Sequence, residues 1–278
     1  MNNSDKTGKL EKIMYSKYFP EFLKNNSGKT IVIKFGGSVL INESSYESLA
    51  EAVKQIKHSN INAYIVLSAK KGRTNELIKQ NGGEELGELL KALDNSLIQK
   101  SKYNALEIAQ NLLWGEIESV NALSELLKEK SVEHESIIQG SGAFPIIANG
   151  NYLNAEIRLK ESRVKSKKLK SMKGIALIPG FGAENLNSEK VLLGRNSSDL
   201  IAAMIAKLDS RVSELIYVKD VCGVFENFDS CNQKFIERIS AKELNEKNVR
   251  QVLDSRIFEW QRCRIRVTDL LNPGTLII

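Results

Sequence analysis

The side chains best suited to chemistry stand just beyond apolar segments that are predicted to form β-strands. The first group is Lys34-Phe-Gly-Gly-Ser38, in which two adjacent glycines end the β-branched segment Lys29–Phe35. Adjacent glycines let the backbone approach a ligand closely and present N–H groups to a phosphate, and a lysine beside them adds a point charge. The alternative is a purely structural turn, because the spacing differs from the Gly-x-x-x-x-Gly-Lys loop of many nucleotide-binding proteins.

Two further groups offer hydroxyl and carboxylate side chains. Ser68-Ala-Lys-Lys-Gly-Arg-Thr-Asn75 follows the second predicted strand, and its Ser68 and Thr74 could bind a small polar acceptor. Ligands of open α/β sheets bind beyond the carboxyl ends of the strands. Gly115-Glu116 lies within an apolar segment, and its carboxylate could bind an ammonium group. The alternatives are a helix N-cap at Thr74 and an ordinary exposed helix position at Glu116.

The last two groups lie in the second half of the chain. Leu193-Gly-Arg-Asn-Ser-Ser-Asp199 precedes a predicted helix, and Arg195 can hold a carboxylate through two parallel hydrogen bonds. A helix N-terminus also favours an anion, although Ser198 and Asp199 could serve only as helix caps. Lys219-Asp-Val-Cys-Gly-Val224 follows another predicted strand and is either a turn or a loop that contacts a nucleotide.

The elements that must position these groups alternate between strand and helix. Such alternation predicts a mainly parallel sheet covered by helices on both faces. Strands are expected at 29–35, 63–68, 136–139, 175–179, 214–220 and 264–267, with a hairpin-like excursion at 144–151. Helices are expected at 44–58, 76–91, 103–130, 199–208 and 241–253. Residues 1–28 are interpreted as an extension with one short amphipathic helix between Leu10 and Phe19 and a turn at 25–28.

Composition narrows the class of protein. Of 278 residues, 42% are hydrophobic and 27% are charged, as in ordinary globular proteins, and no apolar run reaches the length of a membrane span. The polar start lacks the apolar core of a secretory signal, so the expected location is the cytoplasm. Three cysteines without a Cys-x-x-Cys pair argue against a disulfide framework and a structural zinc site. The two histidines, His58 and His134, lie in polar stretches and give little support to histidine-based catalysis.

The net charge of +6 favours an anionic partner. Basic residues cluster in Arg163–Lys173, but no aromatic residues interleave with them, as a base-stacking surface would require. We therefore interpret this run as a solvated helical face. The expected anions are ATP and a carboxylate, and no nucleic-acid or membrane partner is expected.

Taken in order, the five groups, together with Pro179-Gly-Phe-Gly182, resemble the amino acid kinase superfamily, and aspartate kinases in particular. That family has Lys-Phe-Gly-Gly-Ser/Thr, then Ser-Ala-x-x-Gly-x-Thr-Asn, Gly-Glu, Pro-Gly-Phe, Leu-Gly-Arg-Gly-Gly-Ser-Asp and Asp-Val-Asp-Gly-Val. The matching segments of this chain begin at Lys34, Ser68, Gly115, Pro179, Leu193 and Asp220, and Asn272-Pro-Gly-Thr-Leu276 resembles the closing segment. The similarity runs from about residue 30 to the end of the chain.

The resemblance implies a fold and a division of the chain. The fold is a three-layer αβα sandwich with a mainly parallel central sheet, as in amino acid kinases and carbamate kinase. Residues 1–28 would be an N-terminal extension and residues 29–278 the kinase domain. Within that domain, an acceptor-binding lobe is expected at about 29–190 and a nucleotide-binding lobe at about 191–278. The same resemblance implies a homodimer.

It also implies an activity, the ATP-dependent phosphorylation of the side-chain carboxylate of aspartate to 4-phospho-aspartate, with Mg²⁺ accompanying ATP. Lys34 would stabilise charge on the transferred phosphoryl group, and Asp199 would organise that lysine. The residues implied to bind ATP are Gly36, Gly37, Ser38, Lys219 and Asp220. The residues implied to hold the amino acid are Ser68, Thr74, Glu116, Arg195 and Ser198. No side chain is assigned as a direct metal ligand.

Elementary chemistry agrees with this assignment. A carboxylate acceptor with a pKa of about 4 is ionised at neutral pH, so no general base is required. The difficulty is the repulsion between a carboxylate and a triphosphate. Catalysis would therefore rest on positioning and on positive charge from Lys34 and Mg²⁺.

The sequence departs from the aspartate kinase pattern in three respects. Phe225 stands where the family has a tyrosine, and Lys219 replaces its usual threonine. In the stretch whose lysine reaches ATP, Gln251 takes the place of that lysine. Three basic residues are candidates to supply the missing charge: Arg250, Arg256 and Lys219. The chain also ends where most aspartate kinases continue into regulatory domains, so feedback inhibition by lysine or threonine is not expected.

Three other functions stay open on the sequence alone. Lys70, Lys71 and Arg73 beside the acceptor loop suit a related amino acid or a modified aspartate as the acceptor. The altered segment 225–230 and Gln251 suit a non-catalytic binding protein, although the retained lysine and aspartate of the phosphate site argue against it. Nucleic-acid binding has only the net charge and the basic run in its favour.

Overall fold

A computed structural model of the chain describes residue 10 and residues 16–92, 104–194, 197–226, 234–240, 263–268 and 275–277. The helices are α1 (Tyr18–Asn26), α2 (Glu43–His58), α3 (Arg73–Asn81), α4 (Gly83–Ala92), α5 (Ala105–Glu129), α6 (Leu159–Lys165), α7 (Lys167–Ser171) and α8 (Ser198–Leu208). The first seven strands are β1 (Thr30–Phe35), β2 (Asn62–Leu67), β3 (His134–Ser136), β4 (Ala148–Asn151), β5 (Asn154–Ile157), β6 (Ile175–Pro179) and β7 (Gly182–Glu184). The others are β8 (Lys190–Leu192), β9 (Val212–Val218), β10 (Val224–Glu226), β11 (Lys234–Ile236), β12 (Arg238–Ile239), β13 (Arg264–Thr268) and β14 (Thr275–Ile277).

Eight strands form one sheet in the order β12-β14-β13-β9-β1-β2-β6-β3. The six neighbours from β13 to β3 all run parallel. β14 pairs antiparallel with β13 and parallel with β12 at one edge of the sheet. The predicted α/β class with a mainly parallel central sheet is confirmed.

Both faces of the sheet are covered, which explains why its central strands are almost entirely apolar. β1 and β6 are buried along their whole length. Successive side chains of a strand point to opposite faces, so Ile33 packs in the cluster that holds α2, whereas Val32 packs in the cluster that holds α8. The sheet is therefore the middle layer of three, as predicted.

The predicted and observed elements agree in type and differ mainly at their ends. The helix expected at 76–91 is two helices, because the chain turns at Gly82 and at Gly83, whose φ of +63° lies in the left-handed region. The strand expected at 136–139 is His134–Ser136. The helix expected at 241–253 lies outside the described residues.

Part of the predicted N-terminal extension packs against the domain core. α1 extends to Asn26, so it begins later than the predicted helix and includes the start of the predicted turn, while residues 11–15 are outside the described part of the chain. Phe19 and Phe22 are buried in the cluster of β1 and α2, with ring centroids 6.0 Å apart. The division of the chain at residue 28 stays a prediction.

The basic run Arg163–Lys173 forms the end of α6 and all of α7. Leu169 anchors it in the core, whereas most of its lysines are exposed. Lys165 pairs with Glu184, and Lys168 pairs with Glu135. The run is thus a solvated helical face, as predicted. No helix in the ranges given above combines the length and the apolar character needed to cross a membrane.

The parallel strands end level with one another, and this alignment positions the candidate site. Phe35, the last residue of β1, lies opposite Leu67 of β2 on one side and Val218 of β9 on the other. Leu67 in turn lies opposite Pro179, the last residue of β6. The loops that follow these four strands therefore meet at a single edge of the sheet, as expected for ligand-binding loops in open α/β folds.

Candidate active site

Close contacts at glycines bring the loops of this edge together. A Cβ atom on Gly37 would lie 2.7 Å from the carbonyl oxygen of Ala69, so only glycine lets the loop after β1 touch the loop after β2. A Cβ atom on Gly180 would lie 2.6 Å from the Cβ of Ser198, so glycine is also required where the loop after β6 meets the start of α8. The glycines of these motifs thus set the distances between the candidate binding loops.

A buried ion pair stands at the centre of the edge. The Nζ of Lys34, on β1, lies 2.7 Å from Oδ1 of Asp199 in the first turn of α8, and the two side chains are only 6% and 7% exposed. Burial lowers the pKa of Lys34 below that of an ordinary lysine, although Asp199 acts in the opposite direction. Burial alone would raise the pKa of Asp199, but the positive charges of Lys34 and Lys219 outweigh it and hold the pKa below its usual value. Asp199 is therefore ionised. It pairs with Lys34 and does not cap α8, whose N-cap residue is Ser197.

A second lysine contacts the same carboxylate. The Nζ of Lys219 lies 2.8 Å from Oδ2 of Asp199, and its side chain is 15% exposed. The backbone N–H of Lys219 donates to the carbonyl oxygen of Thr268 at 3.0 Å, and its ammonium lies 5.8 Å from the ring centroid of Tyr217. Two lysines, one on β1 and one directly after the neighbouring strand β9, thus contact the two oxygens of one aspartate.

Glu116 brings a buried carboxyl group to the same edge. It is 3% exposed because α5 packs tightly on the loop after β2: a Cβ atom on Gly115 would lie 3.0 Å from the Cβ of Ala69. The alternative of an exposed helix position is wrong for this residue. Its atom Oε2 has no hydrogen-bond partner among the described residues.

The electrostatics of Glu116 follow from this burial. Burial raises the pKa of Glu116 to about 8, against the opposing effects of a backbone hydrogen bond from Ala69 and of the positive charge of Lys34. A buried polar atom without a partner costs about 1–3 kcal/mol, so a ligand that donates to Oε2 would recover that free energy. The position suits an ammonium group or another N–H donor.

The family follows from comparison with known proteins. Residues 29–259 match the model of the amino acid kinase family.

This chain belongs to the amino acid kinase family. The resemblance inferred from its motifs is confirmed, and so is the fold that the resemblance implied.

Relatives of two kinds match the chain at similar identity. An aspartokinase of Rickettsia prowazekii (strain Madrid E) is 29% identical over 252 residues, covering 88% of this chain and 53% of that protein. An acetylglutamate kinase of Kosmotoga olearia is 28% identical over 251 residues, covering 82% of this chain and 76% of that protein. The chain therefore spans about half the length of the aspartokinase, and the relatives point to a phosphotransferase without fixing its acceptor.

A solved structure shares the fold. E. coli aspartokinase III, in complex with aspartate and ADP, superposes with a TM-score of 0.70 at 18% identity, covering 89% of this chain and 64% of that chain. At this identity the likeness concerns the fold alone.

The amino acid kinase domain places most of the sequence-predicted site residues near this edge. Ser68 directly follows β2, and its N–H donates to the carbonyl oxygen of Phe35 at 3.1 Å. Ser198 begins α8 and is buried. Thr74 lies in the first turn of α3, which begins at Arg73 after Gly72 in the N-cap position, so the alternative of an N-cap at Thr74 is wrong.

Of the other predicted site residues, some make different contacts and some are outside the described part of the chain. The N–H of Gly36 donates to the carbonyl oxygen of Val218 at 3.2 Å, so it ties the loop to β9. Asp220 is exposed beside Lys219. Arg195 is outside the described residues, and so are Arg250, Gln251 and Arg256. Phe225, where the family has a tyrosine, packs on Phe235 with ring centroids 5.3 Å apart.

Sequence reasoning missed two residues that support the site. The hydroxyl of Tyr217 donates to the backbone carbonyl of Asp199, and a tyrosine among the aliphatic residues at the end of β9 was the available signal. Phe181 has a φ of +69°, and its carbonyl accepts a hydrogen bond of 2.8 Å from the hydroxyl of Ser197. The glycines on both sides of Phe181 were the signal for this unusual backbone.

Arg73, which on the sequence alone could favour a different acceptor substrate, forms hydrogen bonds with carboxylates of its own chain. Its guanidinium donates two hydrogen bonds of 2.8 Å to Glu118 and one of 3.3 Å to Glu76. Lys70 and Lys71 are exposed. Of the three basic residues in the loop after β2 and the start of α3, Arg73 thus has its charge matched by carboxylates of its own chain.

Proposed function

We propose that this amino acid kinase domain transfers the γ-phosphoryl group of Mg·ATP to the side-chain carboxylate of free aspartate, forming 4-phospho-aspartate. The observation that carries the proposal is the buried carboxyl of Glu116, whose Oε2 has no partner in the described part of the chain. A free amino acid brings an ammonium group that such a carboxyl can bind with a charge-assisted hydrogen bond. An N-acylated amino acid brings no such charge.

The rest of the acceptor site would complement the substrate's other groups. Ser68 and Ser198 stand at the ends of elements that meet at this edge, and their hydroxyls suit a carboxylate. Arg195, which the resemblance assigns to the substrate, would pair with the α-carboxylate. Holding both charged ends of aspartate would leave its side-chain carboxylate aimed at the phosphate site.

The transfer itself needs positioning and positive charge more than proton chemistry. An oxygen of the aspartate side chain attacks the γ-phosphorus, and the bond from that phosphorus to the bridging oxygen breaks with its electron pair remaining on ADP. No proton moves, because the attacking carboxylate is already ionised. Lys34 is held in place by Asp199 and would stabilise the negative charge on the phosphoryl oxygens without reorganising.

The loop after β1 would bind the phosphates through its backbone. Because the N–H of Gly36 is bonded to Val218, the groups left to face a phosphate are the N–H groups of Gly37 and Ser38. Glycine at position 37 keeps this loop against Ala69 and so fixes the direction of those groups. The geometry suits a small anion cradle rather than a long phosphate-wrapping loop.

Mg²⁺ would enter as part of the nucleotide substrate. No cluster of three His, Cys, Asp or Glu side chains able to hold a metal ion occurs in the described ranges. Mg²⁺ commonly keeps several waters and binds through substrate phosphates with one or two carboxylates, so an all-protein cage is not required. Its charge would add to that of Lys34 in offsetting the repulsion between the two anionic substrates.

The test is an acceptor panel with the purified chain. ADP release would be followed with Mg·ATP and, separately, aspartate, N-acetylaspartate, glutamate and N-acetylglutamate. Aspartate should give the highest kcat/KM, and hydroxylamine should trap an acyl phosphate as the hydroxamate. ADP release with millimolar aspartate that does not exceed the acceptor-free control would contradict the proposal.

A second acceptor class has one observation in its favour. With a pKa of about 8, the carboxyl of Glu116 is mostly protonated at neutral pH before a ligand binds, so it could instead donate to the carbonyl of an acylated amino acid. The acetylglutamate kinase relative fits that possibility. A higher kcat/KM for N-acetylglutamate than for aspartate in the same panel would show that the acceptor is an N-acylated amino acid.

A further inference from the structure

The two lysines at the centre of the site share a single counter-charge. Lys34 contacts Oδ1 of Asp199 at 2.7 Å, and Lys219 contacts Oδ2 of the same carboxylate at 2.8 Å. One carboxylate balances one ammonium group, so with both lysines protonated this cluster carries one positive charge in excess, although burial lowers the pKa of Lys34. Because a buried charge without a counter-ion is costly, such a cluster is suited to receive an anion.

The buried carboxyl of Glu116, which interacts electrostatically with Lys34, does not remove this excess at neutral pH. Glu116 is close enough for the charge of Lys34 to affect it, yet burial keeps most of it protonated below about pH 8. The cluster therefore has a net positive charge where the loop after β1 offers its N–H groups. A γ-phosphate is the anion that the proposed reaction brings to this place.

Lys219 is held firmly enough to act as a fixed charge. Its backbone is bonded to Thr268 on β13, its ammonium is bonded to Asp199, and it lies within cation–π distance of the Tyr217 ring. Its side chain is more exposed than that of Lys34, 15% against 6%, so Lys219 is the more accessible of the two lysines. Fixed dipoles and charges stabilise a transition state more than groups that must reorganise.

Two departures from the aspartate kinase pattern have opposite effects on the positive charge available to ATP. A lysine that reaches ATP is missing at Gln251, and a lysine is gained at position 219, where the pattern has threonine. Of the three candidates for the missing charge, Lys219 lies in the described part of the chain and contacts Asp199. The gain at one position thus offsets the loss at the other.

We infer that Lys219 is a second catalytic residue, whose ammonium binds an oxygen of the transferred phosphoryl group together with Lys34. The inference rests on the proposed phosphoryl transfer and extends the role of Lys219 beyond lining the nucleotide site. As the acceptor oxygen bonds to the γ-phosphorus and the bridging oxygen leaves with its electron pair on ADP, Lys219 stabilises the charge on the equatorial oxygens. It gives up no proton in this step.

The first arm of the test is kinetic. Lys219→Thr installs the residue of the family pattern, and Lys219→Arg restores a cation. Lys219→Thr should lower kcat about 100-fold, the size of effect seen when one charge-stabilising donor is lost. The KM for aspartate should stay unchanged, and the arginine variant should recover part of kcat. Lys29→Thr, at an exposed position before the amino end of β1, is the matched control and should keep the kcat of the wild type.

The second arm measures binding and needs no acceptor. Isothermal titration with Mg·ADP and Mg·AMP-PNP would give two dissociation constants for each variant. If Lys219 binds the γ-phosphate, Lys219→Thr should weaken AMP-PNP about tenfold, roughly one charge-assisted hydrogen bond, and leave ADP nearly unchanged.

The two arms separate this inference from the proposed function. A wild type that phosphorylates aspartate, with kcat and the ratio of dissociation constants unchanged in Lys219→Thr, overturns the inference alone. A wild type that turns over no carboxylate, with AMP-PNP selectively weakened in Lys219→Thr, overturns the proposed function and supports the phosphate contact. An equal loss of ADP and AMP-PNP binding would show a structural role and also overturn the inference.

Discussion

The hydroxyl of Tyr217 donates a hydrogen bond of 2.9 Å to the backbone carbonyl of Asp199. This bond links β9 to the first turn of α8, which carries the carboxylate between the two lysines. The position of Asp199 therefore depends on a strand that contributes no residue to the acceptor loops.

Tyr217→Phe removes this link and keeps the ring. We expect a loss of about 1 kcal/mol in the free energy of unfolding, the usual worth of one hydrogen bond, and a several-fold lower kcat because Asp199 is held less firmly. Urea denaturation and steady-state kinetics would measure the two effects. An unchanged kcat in a destabilised variant would limit the hydroxyl to a role in the fold.

Asp199→Asn leaves the buried Lys34 and the partly exposed Lys219 without their shared counter-charge. Breaking a buried ion pair from one side costs about 3–5 kcal/mol, so the variant should be strongly destabilised, and kcat should fall steeply. The double variant Asp199→Asn with Lys219→Thr removes one charge of each sign and should regain part of the stability but not the activity. A double variant no more stable than Asp199→Asn would argue against the charge balance described for this cluster.

The pKa of Glu116 predicts how aspartate binding depends on pH. Below about pH 8 the free carboxyl is mostly protonated, so binding an ammonium group requires it to lose a proton. The KM for aspartate should therefore fall as pH rises from about 6 to about 8 and then level off. In Glu116→Gln the KM should be higher and this dependence should be lost, whereas a parallel pH profile in the variant would assign the titration to another group.

The same carboxyl affects stability in the absence of ligand. Its pKa in the folded chain, about 8, lies above the ordinary value of 4.5, so the folded state binds more protons than the unfolded state between these limits. Its contribution to the free energy of unfolding should accordingly decline as pH rises through that window. Denaturation at several pH values should show a smaller decline for Glu116→Gln, and equal slopes would contradict this.

Two neighbouring glycines give a matched pair of substitutions. A Cβ atom at Gly37 would lie 2.7 Å from a backbone oxygen of Ala69, whereas the closest atom to a Cβ at Gly36 is 3.5 Å away. Gly37→Ala should force the loop away from Ala69 and lower both the melting temperature and kcat, and Gly36→Ala should lower the melting temperature much less. Thermal denaturation of both variants measures this, and equal losses would contradict the close contact at Gly37.

The sequence was sufficient to predict that Lys34 and Ser68 lie at the same edge of the sheet. Both follow or end β-branched segments, and carboxyl ends of parallel strands lie at one edge, so local patterns determine this part of the site. The fold class followed from the same alternation of strands and helices. The homodimer, the cytoplasmic location, the domain division and the role of Arg195 stay predictions.

The burial of Glu116 could not be predicted from its own segment. It depends on how closely α5 approaches Ala69, and that distance is set by Gly115 and by a loop distant in sequence. The contact of Lys219 with Asp199 also could not be predicted locally, because it depends on β9 being the neighbour of β1 in the sheet. Local patterns locate strand ends, whereas tertiary packing decides which charges are buried together.

The order β9-β1-β2 places Lys34, on β1, between two sets of loops. The loops after β2 and β6 lie on one flank, and the loop after β9 lies on the other. If the proposed function holds, mutations on the first flank should change which carboxylate is accepted while leaving the reaction chemistry intact. Such modularity offers a route by which one scaffold diversifies in substrate without reinventing its catalytic step.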